Sequence, residues 1–280
     1  MSKPRRSRVQ GGWADPPKKK DVRSDMNRIK PPEVPIWTGK NIDQASSSST
    51  HKFQYVQPSA EELQQKPSDI IYNKGGVYDI SEANNGISRL RFFPDFLQKE
   101  EADGYFAELY ESLPWKQTTS VKNGISYIQP RLTAWIGDLP YTYSGITHHP
   151  DSKWVKPLPD IKDKIEDLIG YKFNSLLCNL YRDDKDGVEW HCDDEPELGP
   201  QPIIASISLG DTRNFELRKK PVPNTGDYSL SQVVRFPLSH GSLLIMEGAT
   251  QDDWQHRVPK EYHDRDPRIN LTFRVIYPAK

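Results

Sequence analysis

The segment Val188-Glu189-Trp190-His191-Cys192-Asp193-Asp194 places an imidazole and a carboxylate two residues apart. In an extended chain successive side chains alternate, so His191 and Asp193 share a face and Cys192 takes the other. An imidazole and a carboxylate so placed supply two of the three ligands of a 2-His-1-carboxylate facial triad, which leaves open positions on Fe(II). The third ligand must come from elsewhere, and His256, in Gln255-His256-Arg257, is the candidate. A lone His-x-Asp is common among surface loops, so its company decides.

Arg268-Ile269-Asn270-Leu271-Thr272-Phe273-Arg274 alternates polar and apolar residues without a break. As a strand it sends Arg268, Asn270, Thr272 and Arg274 to one face and packs Ile269, Leu271 and Phe273 on the other. A rise of about 3.3 Å per residue separates the two arginine backbones by roughly 20 Å. Both side chains are long enough to lean inward on a small dicarboxylate from opposite ends. A solvated amphipathic strand is the plain alternative, but it gives no reason for Asn and Thr between the arginines. Asn179-Leu180-Tyr181 repeats the alternation, so an amide and a phenol share a face with Leu177. These stretches together describe Fe(II) chelated by a 2-oxo acid, with a position left for O2.

The elements that must hold these residues are legible in part. With 280 residues, 35% apolar composition and a mean hydropathy of -0.79, part of the chain is not expected to pack. Residues 1–66 carry 13 Lys and Arg against 7 Asp and Glu, a net of +6. The rest carries 25 against 32, a net of -7, so any nucleic-acid groove on the body has to be local. Recurrent prolines, a serine run at Ser46–Ser49 and the absence of an apolar period make the tail a disordered segment. Its clusters Lys3–Arg8 and Lys18–Lys20 suit an import signal or a loose phosphate contact, beside the plain reading of a solvated charge run. The chain is divided at 1–70, a basic tail, and 71–280, the catalytic domain. Two cysteines, Cys178 and Cys192, form no disulfide framework. No apolar run reaches about 18 residues and none follows the first basic cluster. The expected setting is the nucleus and cytoplasm, without a membrane.

Strands are predicted at Val77–Ile80 and Ile87–Phe93 around an Asn84-Asn85-Gly86 turn. A helix follows Pro94-Asp95, with Ala102, Phe106, Leu109 and Leu113 at helical spacing, and a second spans Pro159–Ile169 with Gly170 as its cap. Seven further strands are predicted: Phe173–Tyr181, Val188–Asp193, Ile203–Leu209, Asn214–Arg218, Gln232–Phe236, Ser242–Glu247 and Arg268–Tyr277. The fold class is α+β and mainly β, a sandwich or barrel with two helices backing one sheet.

His191-x-Asp193, His256 and Arg268-x-Asn270-x-Thr272-x-Arg274 resemble the AlkB family of Fe(II)/2-oxoglutarate dioxygenases. The resemblance extends through Gln129-Pro130-Arg131, Leu139-Pro140-Tyr141, Asn179-Leu180-Tyr181 and Trp254-Gln255-His256-Arg257, and covers about residues 70–280. It implies a double-stranded β-helix (jelly roll) and oxidative demethylation of N1-methyladenine and N3-methylcytosine in single-stranded DNA and RNA. Formaldehyde, succinate and CO2 are the implied products. His191, Asp193 and His256 would bind Fe(II). Asn179, Tyr181, Arg268 and Arg274 would hold 2-oxoglutarate, with Asn270 assisting and O2 as second co-substrate. Tyr127, Arg131, Tyr143, Asp194 and Glu195 resemble the family's substrate residues. Ordinary packing is the competing reading for both tyrosines, and a structural ion pair for Arg131. Methylated adenine and cytosine are cationic, so an acidic pair beside an aromatic stack would favour them over the unmodified base. Family members that open duplexes insert an apolar wedge. The corresponding turn here reads Val121-Lys122-Asn123-Gly124, polar at its tip, which points to single strands and makes a helicase a plausible partner of a monomeric enzyme.

Three rival readings remain. A metal hydrolase needs a water and a general base, and leaves Arg268 and Arg274 without a role. A protein hydroxylase or demethylase keeps the iron chemistry and differs only in its pocket. A silent nucleic-acid binder has no use for an intact ligand set.

Overall fold

A computed structural model of the chain describes residues 66–278 other than Asn123, Ser144, Gly145 and Pro223, and describes no side chain for Lys122, Tyr143, Ile146 or His148. The basic tail clusters, the tip residue Asn123 and the Tyr143 side chain therefore lie outside the described residues.

Three alternating strands set the layout. Leu176, Cys178 and Leu180, then Ala205, Ile207 and Leu209, then Ile269, Leu271 and Phe273 enter one buried cluster with helices α1 (Lys99–Ser112) and α2 (Leu158–Ile169). Burying each large aliphatic or aromatic side chain there stabilises the fold by about 1.5–3 kcal/mol. The intervening residues Leu177, Asn179, Tyr181, Ser206, Arg268, Asn270, Thr272 and Arg274 face the opposite way and line a cavity. The alternation that buries one face thus delivers the polar set to the other.

These strands form the middle of an eight-stranded sheet. Its order is Gly76–Ala83, Gly86–Phe93, Leu243–Gly248, Ile204–Gly210, Arg268–Arg274, Ser175–Tyr181, Ile125–Gly137 and Lys116–Lys122. A five-stranded sheet runs Ile70–Ile71, Val233–Leu238, Arg213–Lys219, Trp254–Val258 and Val188–His191. Phe92, Leu244 and Met246 of the larger sheet pack on Leu217, Phe236 and Trp254 of the smaller, which closes one end of the space between them. The expected mainly-β fold with two helices behind one sheet is the fold observed.

Local chemistry explains most boundaries. Gly86 takes φ +111 in the Asn84-Asn85-Gly86 turn, and Gly170 caps α2 at φ +69 with its N–H on the Glu166 carbonyl, 2.8 Å away. Four differences from the sequence reading have physical causes. Trp254–Val258, which carries His256, is a strand whose inward set Trp254, His256 and Val258 has a polar residue at its centre, so it did not read as apolar alternation. Lys116–Lys122 is a polar edge strand with no apolar face to read. The Val188 strand stops at His191, and Asp193 lies beyond its end. Ile70 and Ile71 pair in parallel with Val234 and Arg235, a strand ahead of the first predicted one, and Ile70 is the last residue of the segment taken as the tail.

Glu166 supplies a pH-dependent tie behind the sheet. It is 2% exposed, accepts from Lys162 and Lys172 Nζ at 2.7 Å each, and accepts the Phe173 N–H at 2.7 Å. Burial alone would raise its carboxyl, but these donors hold it below the usual carboxylate range. A depressed folded value contributes stability above the unfolded value of about 4.3, and loses it as pH falls through the folded one. Glu166→Gln is expected to lose about 1–3 kcal/mol at neutral pH. In urea titrations the gap from the unmodified protein should narrow at acid pH; a constant gap would remove the charge from the explanation.

Candidate active site

His191 ends its short strand with Nδ1 2.8 Å from the Glu189 carbonyl, so an Nδ1–H donates there and Nε2 is the ring nitrogen that would bind a metal. His256 sits directly opposite it in register, and its ring lies on Phe215 at 5.2 Å. The two imidazole rings are 4.2 Å apart. Asp193 follows two residues on, with its N–H donating to Gln251 Oε1 at 3.0 Å and its side chain fully buried. One ligand atom from each of the three residues lies within 4.8 Å of the others.

The electrostatics suit a divalent cation. Burial and the neighbouring His191 hold the His256 imidazole down at about 3, and burial lowers His191 as well, so both present neutral nitrogens. Burial would raise Asp193, yet Arg274, ahead of the two histidines, holds it at about 2. Arg274 donates from Nε at 3.0 Å and from Nη2 at 2.5 Å, both to Oδ2. Oδ1 is buried without a hydrogen bond, 3.8 Å from His191 Nε2 and 4.0 Å from His256 Nε2. An orphaned carboxylate oxygen between two neutral imidazoles is the donor set that Fe(II) takes.

The other end of the cavity suits a carboxylate. Arg268 is 1% exposed, donates from Nη2 to Ser208 Oγ at 2.8 Å, and has Nε and Nη1 buried without an acceptor. Burial lowers its guanidinium to about 10, a value at which it is still charged at neutral pH. Asn270 bridges the ends, donating to Ser206 Oγ at 2.7 Å and accepting from Thr272 Oγ1 at 2.9 Å. Ser206 and Ser208 escaped the sequence reading, although Ser206-Ile207-Ser208 alternates as Asn179-Leu180-Tyr181 does.

A family profile described as "2OG-Fe(II) oxygenase superfamily" matches residues 89–274. The alpha-ketoglutarate-dependent dioxygenase alkB homolog 3 of Homo sapiens is 50% identical over 279 residues, 99% of this chain and 96% of that protein. The chain belongs to the 2OG-Fe(II) oxygenase superfamily. Within it the chain is similar to AlkB homologues over nearly its whole length. The bovine alkB homolog 3 is likewise 50% identical over 281 residues, covering 99% of this chain and 96% of that protein. The DNA oxidative demethylase ALKBH2 of Arabidopsis thaliana is 39% identical over 211 residues, 68% of this chain and 67% of its own length. This oxygenase therefore uses Fe(II), 2-oxoglutarate and O2. Its three-residue set would hold the iron, and Arg268 with Tyr181 and Asn270 the acid. The bound metal and co-substrate supply the oxidising power; the chain's residues bind, orient and exclude water.

The oxygenase's remaining candidates are distributed unevenly. Arg131 is 4% exposed and donates from Nε to Asn179 Oδ1 at 2.9 Å, which ties the base side to the co-substrate strand. With Tyr127, Trp190 and His191 it lines a groove of about 320 Å³ beside the triad. Trp190 was not singled out from sequence. Asp194 is exposed, whereas Glu195 is half-buried and accepts from the Tyr141 hydroxyl at 3.0 Å. Burial and the Asp193 charge push Glu195 up to about 7. The two acids are thus unlike, and neither is among the residues lining the triad cavity. The acidic pair expected beside an aromatic stack is therefore one exposed and one half-buried carboxyl. Arg274, expected opposite Arg268 on the co-substrate, has its guanidinium on Asp193.

Proposed function

We propose that this chain demethylates N1-methyladenine and N3-methylcytosine in single-stranded DNA and RNA, with release of formaldehyde, succinate and CO2. The observation that carries it is a groove with Tyr127, Trp190 and Arg131 on its walls, which His191 of the His191/Asp193/His256 set also lines. An aromatic-walled groove of that kind takes a planar base for stacking, and it reaches His191. The AlkB-homologue relatives, among them one named a DNA oxidative demethylase, support the substrate class.

Single strands are favoured because the Lys122-Asn123-Gly124 tip carries no large apolar group by residue type, so extrusion of a paired base would meet its full unstacking penalty. Val121 and Ile125 flank that tip and are 63% and 71% exposed, so the strands beside it are less polar than the tip itself. Single-stranded substrate is expected to react about ten- to a hundredfold faster than the same strand annealed, if about 1.4–2.8 kcal/mol enters the barrier. Initial rates at fixed salt test this, since backbone contacts are salt-sensitive. Equal rates would overturn the strand preference without touching the iron site. Duplex in cells would then need a helicase partner, and the enzyme would work as a monomer in nucleus and cytoplasm, with the basic tail as import signal.

A further inference from the structure

Arg213 lies behind the co-substrate end of the cavity and is 1% exposed. Burying a guanidinium is costly unless it is paired; here the Nη donors meet backbone carbonyls, whereas Nε is buried without a hydrogen bond. Nη1 donates to the Asp183 carbonyl at 3.2 Å, and Nη2 donates to the Asp186 carbonyl at 2.8 Å and the Pro259 carbonyl at 2.5 Å. Glu261 Oε1 stands 3.7 Å from Nε and balances the charge.

Those carbonyls have a common position. Asp186 precedes the Val188–His191 strand by two residues, and Pro259 directly follows the Trp254–Val258 strand. One guanidinium therefore joins the strand that bears His191 to the strand that bears His256. The join matters because Val188–His191 is a four-residue edge strand. Its register to its neighbour rests on His256 opposite His191 and Val258 opposite Val188, with an irregularity between them. Edge strands with so few pairings open readily unless something else ties them.

Arg213 also reaches the acid end. Its guanidinium carbon is 5.7 Å from the centre of the Tyr181 ring, and that of Arg268 is 5.2 Å from the same ring. Both are within cation–π range. Tyr181 stands directly opposite Arg268 in register.

We propose that Arg213 is a positioning residue that locks the two imidazole-bearing strands and the Tyr181–Arg268 pair into one unit. The metal and 2-oxoglutarate then meet partners already in place. The inference rests on reading the pocket as the Fe(II)/2-oxoglutarate site. Binding by the unmodified full-length protein checks that reading separately: calorimetry showing no affinity for either ligand would overturn the site itself.

The test is calorimetry with Mn(II), a redox-silent stand-in, and then with 2-oxoglutarate on the Mn(II)-loaded protein. Arg213→Met is expected to weaken each about tenfold, the low end of the effect of removing an outer-shell partner of a metal site. The KM for 2-oxoglutarate should rise by a larger factor than kcat falls. In an Arg268→Lys background, the same substitution is expected to change 2-oxoglutarate affinity by less than about threefold, because coupled residues do not act additively. Arg213→Lys keeps the buried charge but lacks the fork that reaches both strand ends. Folded Lys variant with both affinities weakened at least about threefold supports the proposal, and decides alone if the Met variant does not fold. Unchanged affinities in a folded variant, or an equal loss in both Arg268 backgrounds, would overturn it.

Discussion

Replacing His191, Asp193 or His256 with alanine is expected to reduce formaldehyde release to background. Each residue offers one ligand atom to a set that spans 4.8 Å, and two donors cannot fix a facial site. The three variants should differ in stability, which the sequence alone did not suggest. Arg274 sets Asp193 apart: it is 4% exposed and gives two hydrogen bonds to Oδ2. Asp193→Ala leaves a buried guanidinium without its anion, a loss of about 3–5 kcal/mol. His191→Ala removes a part-exposed ring and should unfold at nearly the denaturant concentration of the parent protein. Activity surviving in any one variant would sink the ligand assignment. Equal midpoints for the Asp193 and His191 variants would sink the Arg274 account and leave the metal site standing.

Arg268→Ala is expected to weaken 2-oxoglutarate by about 2–5 kcal/mol, the usual loss when one partner of a buried charge pair is truncated. That is about one and a half to three and a half decades in dissociation constant. Its Nε and Nη1 are buried without acceptors, so the loss should fall on co-substrate binding rather than on an internal contact. At saturating 2-oxoglutarate the rate should recover much of its value. A titration that overlays the unmodified enzyme would make Arg268 a structural cation held by Ser208 and Tyr181.

The parts legible in the sequence were those whose alternation separates the two faces cleanly. Arg268–Arg274 and Asn179-Leu180-Tyr181 could be placed because apolar Ile269, Leu271, Phe273 and Leu180 mark the opposite face. His256 was found as a residue type, but its strand was not, since the imidazole occupies an inward position that patterning expects to be apolar. Pairing across the fold is absent from local sequence. Nothing near Arg274 shows that its partner would be Asp193, 81 residues away. Likewise, nothing local distinguishes Glu195 from Asp194, and its burial and the Tyr141 hydroxyl come from across the fold. Arg213 gave no signal, because its donors meet backbone carbonyls and those carry no residue code.

Removal of a methyl group from a nucleobase at the His191/Asp193/His256 site should depend on both iron and 2-oxoglutarate. The most direct measurement is mass spectrometry of a single-stranded oligonucleotide bearing one N1-methyladenine, incubated with the full-length protein, Fe(II) and 2-oxoglutarate. The oligonucleotide is expected to lose the mass of one methylene, with one succinate and one formaldehyde formed per strand, and no loss when either Fe(II) or 2-oxoglutarate is withheld. An unchanged oligonucleotide under complete conditions, or loss that proceeds without 2-oxoglutarate, would contradict the account.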